Sequence, residues 1–232
     1  MTKGTVSPNR SDPPESPSGP DVDLAALLCS RLCHDIISPL GAIANGLEML
    51  EEKEDEETRD MAMALIRKST DRALTILQFA RLAFGAGSSA GQSIRLDRIR
   101  TLVEPLIKPG RITLDWQAIA HNSTDKTIDG SSIDKNYAKL LLNIIPLVGV
   151  TIPRGGEITI TLTGDESRPD IRLDARGPDA RLPDNIITPM SSETPQIDTR
   201  NIQAVLSVAL AHKLGRQLKW DQHSDSVTLH VL

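Results

Sequence analysis

The chain has 232 residues, 39% hydrophobic and 25% charged, with a net charge of −5, the balance of an ordinary globular protein of one large or two modest domains. Aromatic residues are scarce, with two Trp, one Tyr and two Phe, so the core has to be aliphatic. Few rings and an excess of acid argue against nucleic-acid binding, which needs basic patches and stacking surfaces, and against attachment to anionic membranes.

Residues 1–20 are dominated by Pro, Ser, Gly and charge. They cannot bury enough apolar surface to offset their conformational entropy, and a disordered tail is predicted. The N-terminus shows no apolar run, so neither a signal peptide nor a membrane anchor is expected and the predicted location is cytoplasmic.

From Asp21 the character changes. Leu24, Leu28, Leu32, Ile36, Leu40, Ile43, Leu47 and Leu50 recur every three or four residues, one apolar stripe on a helix ending near Glu52. Asp21 or Asp23 is placed to cap it. The acidic run from Glu51 to Glu57 makes a solvated turn. A second helix follows, with Ala62, Leu65, Ile66, Ala73, Ile76, Leu77, Ala80 and Phe84 on its apolar side. Residues 21–86 therefore read as an antiparallel helical hairpin. Two such helices leave apolar surface uncovered, and docking two hairpins into a four-helix bundle predicts a homodimer. Cys29 and Cys33 share the first helix. At that spacing they would distort it if bridged, so free thiols at the edge of the core are expected. Their C-x-x-x-C-H string has neither the spacing of haem attachment nor a second cluster for zinc.

Small residues from Gly85 to Ser93 form a hinge, and 87–94 is the expected linker. Over residues 95–232 the pattern mixes types. Helices are predicted over Arg95–Ile107, Ile133–Ile152 (kinked at Pro146) and Thr199–Leu214, the last stopped by Gly215. Strands are predicted over Arg111–Ile119, Glu157–Thr163, Asp170–Ala175, Arg216–Trp220 and Ser226–Leu232. The fold class is α+β: a helical hairpin followed by an α/β sandwich with helices on one face of a mixed sheet.

His34 lies about 200° around the first helix from Leu32, and points away from the apolar stripe. Ser30, Ser38, Gly41 and Asn45 stack above and below it in a strip of small polar residues. Gly41 costs a helix roughly 1 kcal/mol relative to Ala, which suggests that something other than helix stability favours it. Such neighbours let a second protein approach the imidazole. Asp35 is adjacent, placed to fix the tautomer or take the proton, and an imidazole nitrogen is a competent nucleophile near neutral pH. A solvated surface histidine remains the alternative at this point.

The string from His34 to Leu50, HDIISPLGAIANGLEML, resembles the phosphoacceptor helix of two-component histidine kinases. The longer string from Cys29, CSRLCHDIISPLGAI, with LQFARLAFGA at the end of the second helix, is similar to the ChpT-type histidine phosphotransferases of alphaproteobacteria. The likeness runs from about Leu24 to the C-terminus. It implies a dimeric four-helix bundle, with a C-terminal domain derived from a kinase ATPase domain. It also implies His34 as phosphoacceptor, Asp35 as assisting acid or base, and Ser30, Arg31, Ser38, Gly41 and Asn45 as partner-binding residues. Ser38 stands where many kinases place a Thr or Asn used in phosphatase action.

The C-terminal domain departs from the kinase pattern. The segment NYAKLLLNIIPLVGVTIPRGGEITI resembles the first nucleotide box, with Asn143 at the magnesium position, read as a polar residue on a helix surface or a relic. In the next box, IRLDARGPDARL, Asp174 and Gly177 are wrongly spaced and Pro178 replaces a glycine. Asp198–Ile202 replaces the glycine-rich lid. Those glycines let backbone amides approach phosphates, which Arg, Asn and Pro do not. No cofactor or metal is therefore expected in this chain, and magnesium is expected in a partner's receiver domain. The implied role is a relay from a CckA-like hybrid kinase receiver to CtrA-like and CpdR-like response regulators. An ATP-dependent histidine kinase and a non-catalytic dimeric adaptor are the alternatives.

Overall fold

A computed structural model describes residues 19–51, 55–85, 93–107, 109, 111–118, 131–191 and 197–232. The predicted tail up to residue 18 and linker residues 87–92 lie outside the described residues. Two long helices come first, α1 (Gly19–Glu51) and α2 (Glu56–Ala83). The first starts before Asp21 and Asp23, so neither caps it, and it runs through Pro39 to Glu51. The second begins inside the acidic run, where the Asp55 side chain accepts a hydrogen bond from Thr58 N at 3.0 Å. This acid at the N-terminus also suits the helix dipole.

The two helices pack antiparallel, and Gly46 marks a close approach. A Cβ there would stand 2.7 Å from Ile66 Cγ1 and 3.3 Å from the Ala62 carbonyl oxygen. Gly46→Ala would gain helix propensity but force Ile66 aside. The expected net loss is about 1 kcal/mol of stability, read from a urea denaturation midpoint.

The single stripe predicted on α1 is divided in the structure. Pro39 and Gly46 are buried towards α2, with Leu32, Ile36, Ile43 and Leu50 half-buried. Ile37, Leu40 and Leu47 stand exposed, as do Met63, Leu74 and Leu77 on α2. Among the described residues α1 from Asp23 to Glu51 is long and apolar enough, by length and composition alone, to cross a membrane. The expectation of no apolar run near the N-terminus is amended to that extent. The apolar residues of α1 nevertheless form one stripe packed on α2 and a second facing outward.

The C-terminal unit starts earlier than predicted. Ser93 and Ile94, assigned to the linker, belong to a short strand, β1 (Ser93–Arg95), antiparallel to β3 (Ser132–Asp134). Three-residue strands are too short to show an alternation, and Ile94 is buried by the pairing. The helix α3 (Leu96–Ile107) follows, then β2 (Ile112–Ala118). The helix α4 (Lys135–Gly149) begins after Asp134, whose side chain accepts from Asn136 N at 2.8 Å. Then come β4 (Gly156–Asp165), β5 (Arg168–Arg176), α5 (Asp184–Ser191), α6 (Ile202–Lys213), β6 (Leu218–His223) and β7 (Ser226–Val231). Gly215 just past α6 has φ +65°, as its predicted stop requires. The helix α5 was not anticipated; its Ile186 is buried with Leu147 and Ala204.

The five-stranded sheet has the order β2-β4-β5-β7-β6, with β2 parallel to β4 and the other pairs antiparallel. Ile158, Ile160, Leu173, Ala175, Val227 and Leu229 face the core. The alternate positions on β4 and β5 are polar, as expected for a sheet covered on one side. Apolar all round, α4 is buried along almost its whole length and forms the centre of the core with α3.

Candidate functional site

His34 sits on the outward face of α1 with its side chain 90% exposed. Its Nδ1 lies 3.4 Å from Asp35 Oδ1, at the long edge of a hydrogen bond. Arg31, one turn earlier, approaches the other Asp35 oxygen at 4.0 Å. Adjacent residues do not face each other on a helix, so the contact to Asp35 needs both side chains to lean together. A proton on Nδ1 leaves the Nε2 lone pair facing solvent, the form a nucleophile requires.

Beside this edge runs a cleft of about 430 Å³ between the hairpin and the C-terminal domain. Its floor is apolar, built from Ile76, Phe79 and Phe84 of the α2 side with Leu106 and Pro146 opposite. Phe79 and Phe84 meet edge to face with ring centres 5.9 Å apart. Its polar rim carries Arg31, His34, Asp35, Ser38 and Arg72, and the buried Gln203 lines its wall.

Of the predicted site residues, Arg31, His34, Asp35 and Ser38 are brought together at the cleft. Ser30, Gly41 and Asn45 are exposed on α1 but do not line it. The missing Cβ of Gly41 would meet nothing within 4 Å, so no neighbour in this chain requires the glycine. Arg72 and Gln203 escaped the sequence reading, because an arginine on a helix and a glutamine on another carry no local signal of a shared cleft. Cys29 and Cys33 are free and exposed on α1, not at the edge of the core as expected.

The C-terminal domain is tied to the hairpin by buried polar groups. Asn143 is fully buried, which corrects its placement on a helix surface. Its Nδ2 donates to the carbonyl of Ala83, at the end of α2, at 3.3 Å and to that of Lys139 at 2.9 Å. Gln203 Nε2 donates to the Asn143 carbonyl at 3.2 Å. The Lys139 ammonium bonds the Gly85 carbonyl, a cation at the negative end of α2. Burial, with Lys135 and Lys213 nearby, holds Lys139 below its ordinary value. Asn143 Oδ1 is enclosed with no partner among the described residues.

The other nucleotide-box candidates are also committed to the fold. Asp174 on β5 receives Arg172 Nε and Nη2, both at 2.7 Å, and Thr228 Oγ1 at 2.8 Å. Asp198 Oδ1 accepts from the backbone of Arg200 at 2.8 Å and of Asn201 at 3.0 Å. Burial alone would raise the Asp174 carboxyl, but the hydrogen bonds of Arg172 and Thr228 and the charges of Arg172 and Arg176 leave it below its ordinary value. A depressed carboxyl stabilises the fold above its unfolded value of about 3.9, and that stability is lost as pH falls through the folded value. Unfolding free energy should therefore drop as pH is lowered below about 4, and Asp174→Asn should flatten that part of the slope in an acid titration.

The comparisons with known proteins bear on the same arrangement. Residues 96–226 match the family model described as "Histidine phosphotransferase C-terminal domain". Protein phosphotransferase ChpT of Brucella abortus (strain 2308) is 37% identical over 199 residues, covering 85% of this chain and 89% of that protein. The chain belongs to the ChpT-type histidine phosphotransferases. A solved structure described as a bacterial phosphotransferase superposes with a TM-score of 0.75 at 33% identity, covering 94% of this chain and 99% of the other. The Acinetobacter baumannii histidine kinase AdeS is more distant, with a TM-score of 0.43 at 9% identity over 85% of this chain and 95% of the kinase chain. Membership makes the chain a phosphotransferase that acts between two-component signalling proteins.

Proposed function

We propose that this protein relays a phosphoryl group through His34, from the receiver domain of a CckA-like hybrid kinase to CtrA-like and CpdR-like response regulators. The observation that carries the reading is the 90% exposed imidazole of His34, beside Asp35 at 3.4 Å, on the rim of a cleft bounded by both domains. A macromolecular donor can reach this nitrogen directly. His34 Nε2 attacks the aspartyl phosphate in line, the N–P bond forms as the P–O bond breaks, and the receiver carboxylate leaves with the electron pair. The Nδ1 proton stays on the ring, facing Asp35. Positioning dominates such a displacement, and the magnesium belongs to the receiver's acidic pocket.

The chain uses no ATP in this reading. Asn143 directs its amide into the end of α2, and Asp174 is saturated by Arg172 and Thr228. These groups do not fit a nucleotide and its magnesium, which supports a degenerate ATPase-type domain that widens the docking surface. Exposed Ile37, Leu40, Leu47, Met63, Leu74 and Leu77 support a homodimer in which two hairpins form a four-helix bundle. A cytoplasmic location accords with a role between two-component proteins.

The test is a chase of radiolabelled phosphate from a phosphorylated receiver to the full chain and onward to a second receiver, with His34→Ala beside it. Transfer through the wild type alone supports the relay. Label that bypasses the protein, or signalling that survives His34→Ala, points to the adaptor reading. A micromolar affinity in an ATP titration, with autophosphorylation, would favour a kinase.

A further inference from the structure

We infer that Arg72 on α2 binds the phosphoryl group while it is carried by His34, an assignment that rests on the phosphotransfer reading. Arg72 lines the same cleft as His34, Asp35 and Ser38, although it comes from the other helix of the hairpin. Gly46 packs on Ala62 and Ile66, and counting about eight residues along each antiparallel helix from that contact brings Ser38 and Arg72 level. That is one turn, about 6 Å along the axis, from His34. A guanidinium on its flexible stem spans such a distance.

The charges at the site call for a second cation. The phosphoryl group on His34 itself carries close to two negative charges, beside the Asp35 carboxylate. Arg31 is already drawn to Asp35, at 4.0 Å. The Arg72 guanidinium makes neither an ion pair nor a hydrogen bond among the described residues. Of the two arginines that line the cleft, Arg31 has a carboxylate partner and Arg72 has none. An uncommitted guanidinium on the rim beside a phosphoacceptor has the planar donor pair that phosphate oxygens accept. Arg72 donates N–H groups to the non-bridging oxygens during transfer and moves no proton. The N–P bond forms and the P–O bond breaks as before.

The experiment uses full-length Arg72→Met and Arg72→Lys proteins in two arms. In single-turnover transfer from a phosphorylated receiver, Arg72→Met should lower the maximal rate about 10- to 100-fold. The half-saturating receiver concentration should stay within about twofold, and Arg72→Lys should recover part of the rate. In the second arm His34 is phosphorylated chemically with phosphoramidate and its ³¹P resonance is titrated. A nearby cation favours the dianion, so its loss in Arg72→Met should raise the titration midpoint. An unchanged rate with an unchanged ³¹P titration overturns the assignment. So does a raised half-saturation at constant maximal rate, which would make Arg72 a docking contact. Wild type that takes no label from any receiver, while the ³¹P shift between variants persists, sinks the relay reading and leaves the phosphoryl-binding role standing.

Discussion

His34→Ala is expected to abolish phosphoryl uptake from a phosphorylated receiver, a fall of at least about 10³-fold in rate, while the protein stays folded. In the proposed relay the nucleophilic nitrogen is the bond-forming atom, and no other polar residue lining the cleft supplies one: Arg31, Asp35, Ser38, Arg72 and Gln203 are cations, an acid, a hydroxyl and an amide. An exposed side chain contributes little to packing, so the change in stability should stay within about 0.5 kcal/mol. Asp35→Asn is the companion variant. It keeps the size but loses the charge that favours Nδ1–H, and should slow transfer about 10²-fold. Rapid-quench measurement with labelled receiver reads both, and circular dichroism verifies the fold. Uptake by His34→Ala at the wild-type rate would move the acceptor elsewhere.

The second large effect is on the joint between the domains. Asn143→Asp is nearly isosteric, yet it exchanges the donor that meets the Ala83 and Lys139 carbonyls for a carboxylate oxygen. At neutral pH this places an unpaired charge in a fully buried position facing two acceptors. The expected loss is about 3–5 kcal/mol. The sign with pH is opposite to that at Asp174. Burial raises the introduced carboxyl above its unfolded value, so the penalty is complete above the raised value and shrinks as pH falls through it. The protonated acid can then donate to one carbonyl. Denaturation midpoints at pH 7 and pH 5 should therefore converge on those of the wild type at the lower pH. A variant as stable as wild type at pH 7 would show that the bond to Ala83 does not hold α2 against α4.

Much of this molecule is legible in its residues. The three-to-four spacing of Leu, Ile and Ala located both hairpin helices to within a few residues, because a packed helix must keep one side apolar. The same periodicity put His34 on the outer face. The alternation in β4 and β5 exposed a sheet with one dry side. The elements that escaped were β1, β3 and α5. The first two exist because Ile94 and Ile133 pair with each other, a contact between segments far apart in the chain. The third is held by the burial of Ile186 against Leu147 and Ala204. Local sequence has no view of either.

The chain alone determined that His34 is an exposed imidazole with a carboxylate next to it, because exposure and adjacency follow from the period of a single helix. It equally shows Pro178 and Asp198–Ile202 where the kinase resemblance would place glycines, since that is a matter of residue type. What surrounds the imidazole was decided only by tertiary structure. The docking of α2, α3, α4 and α6 makes the apolar cleft, brings Arg72 and Gln203 to its lining and turns the Asn143 amide inward to hold the end of α2. Those residues are separated from His34 by dozens of positions, and burial in a shared core is what makes them neighbours.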